Sequence, residues 1–128
     1  MSLCEQYPLC IQQGSAFAFT VTYLNAEKTA PEVDLSSYAA ILQARRQSGG
    51  DLLLEVTSED DEITFDANDG IIFITLPKSK VNALPTNNRV VEGWVYGLQI
   101  YDPADKDNTA RLLLHGELTV HPSPVQVD

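Results

Sequence analysis

Hydrophobic and polar residues alternate with a period of two along most of this chain, the signature of strands with one buried face. Leu9 and Ile11 alternate with Cys10 and Gln12, and Gln13 to Ser15 then reads as a turn. In "AFAFTVTY", Phe17, Phe19, Val21 and Tyr23 form one face and Ala18, Thr20 and Thr22 the other. That is a half-buried strand with high β-propensity. The following "LNAEKTAPEVDLSS" has no period, a polar majority and Pro31, so it reads as a loop.

From Tyr38, "YAAILQARRQ" places Tyr38, Ala40, Leu42 and Ala44 on one face and Ile41, Gln43 and Arg45 on the other. Propensity alone favours helix here. The "SGGD" at Ser48 to Asp51 is a hairpin turn signal, however, and the alternating "LLLEVTS" after it favours a strand pair. Leu52, Leu54 and Val56 form one face of the returning strand. After the acidic "EDDE", the "DANDG" at Asp66 to Gly70 is a turn in which Gly70 can take a positive φ. Ile72, Ile74 and Phe65 then face the core. "SKVNAL" predicts one helical turn with Ser79 as N-cap.

"RVVEGWVYGLQIYD" is the longest strand, with Trp94, Tyr96, Leu98 and Ile100 on one face and Val95, Gly97, Gln99 and Tyr101 on the other. Gly93 and Gly97 mark bulges or a close approach of backbones. "DPADKDNT" reads as a tight polar hairpin loop. The last strand places Leu112, Leu114, Gly116, Leu118 and Val120 on one side, and Pro122 and Pro124 end it. About seven or eight strands, with turn signals every 8–12 residues, predict an all-β chain: one antiparallel two-sheet β-sandwich, immunoglobulin-like. The domain spans 1–128, with 1–8 and 123–128 as extended or flexible termini.

Charge narrows the partners. With 18 acidic against 8 basic residues, the net charge is −10. Such a surface repels nucleic acid and anionic lipid. No run approaches the roughly 18 apolar residues of a membrane span. "MSLCEQYPLCIQQ" has neither the basic nor the apolar region of a signal peptide. Cys4 and Cys10 are not spaced as CxxC and have no second ligand pair for zinc, so they read as two thiols.

Candidate chemistry is sparse. His115 and His121 are six residues apart on one strand, about 20 Å at strand rise, too far for a dyad. There is no GxSxG elbow and no phosphate-binding loop. The oxygen-rich loops with Asp102, Asp105, Asp107 and Asn108, and with Glu59, Asp60, Asp61 and Glu62, lack calcium-loop spacing and read as solvated loops. Trp94 and Tyr96 read as core, while Tyr101, on the opposite face, is the aromatic available to a sugar. No catalytic, cofactor or metal residue is assigned, and no enzyme activity is expected.

The order of the pieces carries a resemblance. "IQQGSAFAFTVTY", "DLSSYAAILQARRQSGGDLLLEVTSED", "ITFDANDGIIFITLP" and "WVYGLQIYDPADKDNTARLLLHGELTVHPSPV" together resemble small tailed-bacteriophage virion proteins. They are similar to the immunoglobulin-like N-terminal domains of phage baseplate upper proteins, over roughly residues 9 to 125. The resemblance implies a structural adaptor in the virion, assembled in the host cytoplasm and present in multiple copies. Its implied partners are tail, fibre or collar subunits. Arg45, Gly70, Leu114, Gly116 and Val120 match framework positions, and no active site accompanies them. "MSLCEQYPLC" and the "EKTAPEV" loop depart from the pattern. On this basis the last strand both closes its sheet and presents "PSPVQVD" outward. Two other functions fit the same sequence: a carbohydrate-binding module for host glycan, and a capsid cement or decoration subunit.

Overall fold

The computed structural model describes residues 5–6, 8–24, 27, 35–47, 49–87 and 89–123. Cys4, most of the "EKTAPEV" loop and residues 124–128 of the tail lie outside the described residues. The strands are β1 (Glu5–Gln6), β2 (Leu9–Gln12), β3 (Phe17–Thr22), β4 (Ala39–Arg45), β5 (Leu52–Thr57), β6 (Ile63–Asp66), β7 (Ile71–Leu76), β8 (Val91–Tyr101) and β9 (Arg111–His121). Two short helices, α1 (Lys78–Asn82) and α2 (Lys106–Thr109), and a 3-10 turn at Leu35–Ser37 complete the described chain.

The strands form two sheets. The larger runs β1-β9-β8-β4-β5, with β2 also on β9, and the smaller runs β3-β7-β6. β1 and β2 both pair parallel to β9, one after the other, and so make a single edge interrupted near Pro8. Counting that edge once gives eight strands in an all-β two-sheet sandwich. The orders β3-β7-β6 and β9-β8-β4-β5 reproduce the B-E-D and G-F-C-C′ orders of a variable-type immunoglobulin sandwich. Among the described residues every strand pairing is antiparallel except those of the N-terminal edge.

One core fills the space between the sheets. Leu42, Val56, Leu98, Ile100, Leu118 and Val120 from the large sheet meet Ile63, Ile72, Ile74 and Leu76 from the small one, all at 1% exposure or less. Phe17, Phe19 and Val21 of β3 pack against this cluster while only partly buried. "YAAILQAR" is a strand despite its helical propensity: β4 lies between β5 and β8, and burial of Ala40, Leu42 and Ala44 overrides the local preference. Gly70 adopts φ 68° in the β6–β7 turn.

Four expectations from the sequence require correction. Leu112 does not share the buried face of β9: the register passes from Leu98↔Leu114 to Gln99↔Leu112, leaving Leu113 as an extra residue. The bulge turns Leu112 outward at 39% exposure and Leu113 inward at 6%. Leu52 is likewise displaced, since the β4–β5 register passes from Ala44↔Leu54 to Arg45↔Leu52 and Leu52 is 46% exposed. Ser79 is not the N-cap of α1; Pro77 holds that position, with extended φ and ψ and no side-chain cap. The loop after β8 is not a plain hairpin turn but contains α2, whose backbone is anchored through Asp105 and Thr109. Within the N-terminal stretch expected to be extended or flexible, Glu5–Gln6 forms a two-residue strand on β9.

Candidate functional site

Successive residues of a strand face opposite sides of the sheet, so the pairing registers define what the large sheet presents outward. Three rows cross it. Ile41, Gln99 and Leu112 form the first; Gln43, Gly97 and His115 the second; Arg45, Val95 and Glu117 the third. The centre of this array is Gly97, so the middle of the face has no side chain. The result is an open trough of about 840 Å³ whose walls include Pro8, Ile41, Arg45, Val95, Leu112 and Glu117. The β9 bulge helps to shape it: a Cβ at residue 97 would lie 3.3 Å from Leu112 Cδ1, so Leu112 leans across the glycine.

A chain of hydrogen bonds stiffens one wall. Gln43 Nε2 donates to Glu55 Oε2 at 2.7 Å, and Arg45 Nη2 donates to Gln43 Oε1 at 3.0 Å. Arg45 Nη1 then donates to the Gly50 carbonyl at 2.8 Å, tying β4 to the β4–β5 turn. Arg45 therefore has a framework role here, since its guanidinium is engaged by its own hairpin. No buried side-chain nitrogen or oxygen among the described residues lacks a partner.

Two further clusters, neither evident in the sequence, hold the sheets together. Lys80 Nζ meets Glu62 Oε2 at 2.6 Å and donates to the Glu55 carbonyl at 2.8 Å. Glu62 Oε1 accepts from Thr57 N–H at 3.3 Å, and the Glu62 N–H donates to the Thr57 carbonyl at 3.2 Å. The pair thus bolts β6 and α1 to the outer edge of β5. Elsewhere Gln13 Nε2 donates to the Val81 and Leu84 carbonyls, both at 3.0 Å, and Gln13 Oε1 accepts from the buried Thr86 hydroxyl at 2.9 Å. No short motif announces contacts between residues so far apart in sequence.

The residues singled out for chemistry are dispersed. His115 and His121 share the outer face of β9, but only His115 reaches the trough. Cys10 is exposed and free, opposite Thr119. In the α2 loop, Asp102 Oδ1 accepts from Ala104 N–H, and Asn108 Nδ2 donates to the Asp105 carboxylate. Thr57 Oγ1 accepts from Asp60 N–H, and Asp61 is in a left-handed conformation with φ 59°. Among the described residues no three His, Cys, Asp or Glu side chains converge to hold a metal. Trp94 and Tyr96 are buried at 6% and 4%, with Arg46 over the Trp94 ring. Tyr101 is partly buried, with Lys106 Nζ 5.1 Å from its ring centre. These three aromatics do not form a flat exposed platform.

The strand order and the single inter-sheet core define the class: an immunoglobulin-like β-sandwich with an open trough on its larger sheet. No protein-family model matches the chain, and no curated protein matches it. Among solved structures it is similar to the extracellular domain of the voltage-gated sodium channel β4 subunit, described as a parallel homodimer in cell–cell adhesion. That likeness covers 96% of this chain and 97% of the other at 14% identity and a TM-score of 0.45. At that level it bears on neither function nor partners. No helix among the described residues is long and apolar enough to cross a membrane.

Proposed function

We propose that this chain is a non-enzymatic structural subunit of a tailed-bacteriophage virion, an adaptor that joins tail, baseplate or fibre components in multiple copies. The observation that carries the reading is the outer face of the large sheet. It is broad and shallow, mixes apolar and polar side chains, and is stiffened from within by the Glu55–Gln43–Arg45–Gly50 chain. Such a surface suits contact with another protein: apolar side chains at Ile41, Val95 and Leu112 surround the open position at Gly97, and the charged Arg45 and Glu117 flank Val95. Catalysis would instead call for titratable groups converging on a reacting atom. The ordered sequence resemblance supplies the virion context. The carbohydrate-binding alternative rests on Tyr101, and its partial burial with Lys106 Nζ 5.1 Å from the ring centre gives that reading little support.

The test is light scattering of the chain alone and mixed with purified virion components, alongside Gly97→Arg, which projects a guanidinium from the centre of the trough. Capture of the parent chain in a defined complex, with loss of capture in the folded G97R, supports the adaptor. No complex with any component overturns it, and glycan arrays then become the next measurement. Removing residues 124–128 separately tests whether the tail contributes to attachment.

A further inference from the structure

Among the described residues the sandwich has four strand edges, and three are protected. On β5 the outward Glu55 carbonyl and the Thr57 N–H and carbonyl are occupied by Lys80 and Glu62. β6 spans only Ile63–Asp66 and is flanked by Glu59, Asp60, Asp61, Glu62 and Asp69, whose charge repels an incoming acidic chain. The N-terminal edge is broken into two short pieces beside Pro8, which has no N–H to donate. Short strands, charges and prolines are the usual means of blocking strand addition.

β3 has none of these devices. It pairs with β7 on one side only among the described residues. Residues 6–26 contain no Asp, Glu, Lys, Arg or His, in a chain of net charge −10. Its outward residues Ala18, Thr20 and Thr22 are exposed. They lie beside Thr75, Phe73 and Ile71 of β7, and Phe73 is 40% exposed. Among the described residues the strip itself carries no charged side chain, and the Arg111 guanidinium, which donates to the Tyr23 hydroxyl at 3.0 Å, meets it only at its end, on a strongly acidic molecule.

The sequence of this edge specifies its occupant. From Phe17 to Tyr23 the chain reads F-A-F-T-V-T-Y, which is nearly symmetric in residue type about Thr20. Antiparallel pairing with an identical strand about Thr20 would set Phe17 against Tyr23, Ala18 against Thr22, Phe19 against Val21, and Thr20 against its own copy. Aromatic, aromatic–β-branched and Thr–Thr cross-strand pairs are favourable combinations. A two-fold axis requires this kind of self-complementary strip. We propose that β3 is a homodimerisation edge, at which a second copy of this chain adds its own β3 antiparallel about Thr20. The two small sheets then become one continuous six-stranded sheet. This inference is independent of the virion reading and of the trough, which lies on the other sheet.

The experiment is sedimentation and light scattering of the parent chain across concentration, with Thr20→Glu and Thr20→Lys prepared separately and then mixed. The expected result is a parent mass rising to twice the 14.1 kDa of one chain, each variant monomeric, and the mixture restored to a dimer. Opposed like charges break the strand pair, and opposite charges at the same position re-form it. Thr64→Glu, on β6, leaves the parent behaviour unchanged. A parent that stays monomeric at its highest soluble concentration overturns the proposal, as does a folded T20E that still dimerises. If circular dichroism shows that T20E or T20K has lost its fold, Thr20→Cys with Cys4 and Cys10 changed to Ser decides the question. Directly opposed strand residues have Cα atoms about 4.5–5.5 Å apart, within disulfide range. A cross-linked dimer from T20C but not from Thr64→Cys supports the pairing, and its absence under oxidation overturns it.

Discussion

Gly93 and Gly97 are four residues apart on the same strand and serve opposite purposes. Gly93 has φ 84° at the register shift between Val91 and Trp94, and a Cβ there would meet nothing within 4 Å. Only backbone conformation requires glycine. Gly93→Ala should therefore cost about 1 kcal/mol through left-handed strain, and Gly93→Asn less, because Asn visits that region more readily. Urea denaturation of the two variants checks the order; equal or negligible losses would show that the bulge does not hold its conformation. Gly97, with no such φ, is constrained by Leu112 Cδ1 at 3.3 Å, the movable end of a partly exposed side chain. Gly97→Ala should leave stability within about 0.5 kcal/mol while narrowing the trough, so binding and folding can be separated at one position.

The elements show where a period-two sequence can be read and where it cannot. β3, β4, β7 and most of β8 present the faces read from the sequence, because polar residues such as Thr20, Gln43, Thr75 and Gln99 set the phase of their apolar neighbours. The same applies to Leu9 and Ile11 on β2. Both failures occur in leucine triplets. Leu52–Leu54 and Leu112–Leu114 each contain a register shift that skips the middle leucine, so the first turns outward and the third inward. Three identical residues carry no phase, and a bulge reverses facing without leaving a trace in composition. Leu112→Asn should consequently change stability by less than about 0.5 kcal/mol, whereas Leu114→Asn should cost about 3 kcal/mol by burying an unpartnered amide. Thermal melts that reverse this order would mean the bulge is misplaced. The trough was illegible for the same reason, since it needs Leu112 outside and the β4, β8 and β9 registers together. The Glu62–Lys80 bolt was hidden within an acidic run that reads as solvated loop. Glu62→Ala should destabilise by about 1–3 kcal/mol, since the Thr57 N–H and the Lys80 ammonium lose a partner. It should also open the β5 edge, visible as association that Lys80 and Glu62 suppress in the parent.

For the whole molecule, charge and fold act against each other at the proposed interface. Two copies at −10 repel over distances set by ionic strength. The β3 strip contributes no ion pairs that salt would weaken, only backbone hydrogen bonds and uncharged side-chain contacts. Screening therefore removes the repulsion and leaves the attraction intact. The Debye length falls from about 30 Å at 0.01 M to about 3 Å at 1 M salt, so dimerisation should strengthen steadily across that range. An interface dominated by ion pairs, such as one between Arg45 and Glu117 of two copies, would weaken instead once screening of those pairs outweighed the relief of repulsion. Sedimentation equilibrium at rising sodium chloride distinguishes the two surfaces without any mutation. Tightening is the outcome the neutral edge requires, and weakening would assign the self-contact to a charged face and sink the β3 model. On this model a chain that repels its own copies at low salt stays dispersed until a high local concentration brings its neutral edges together.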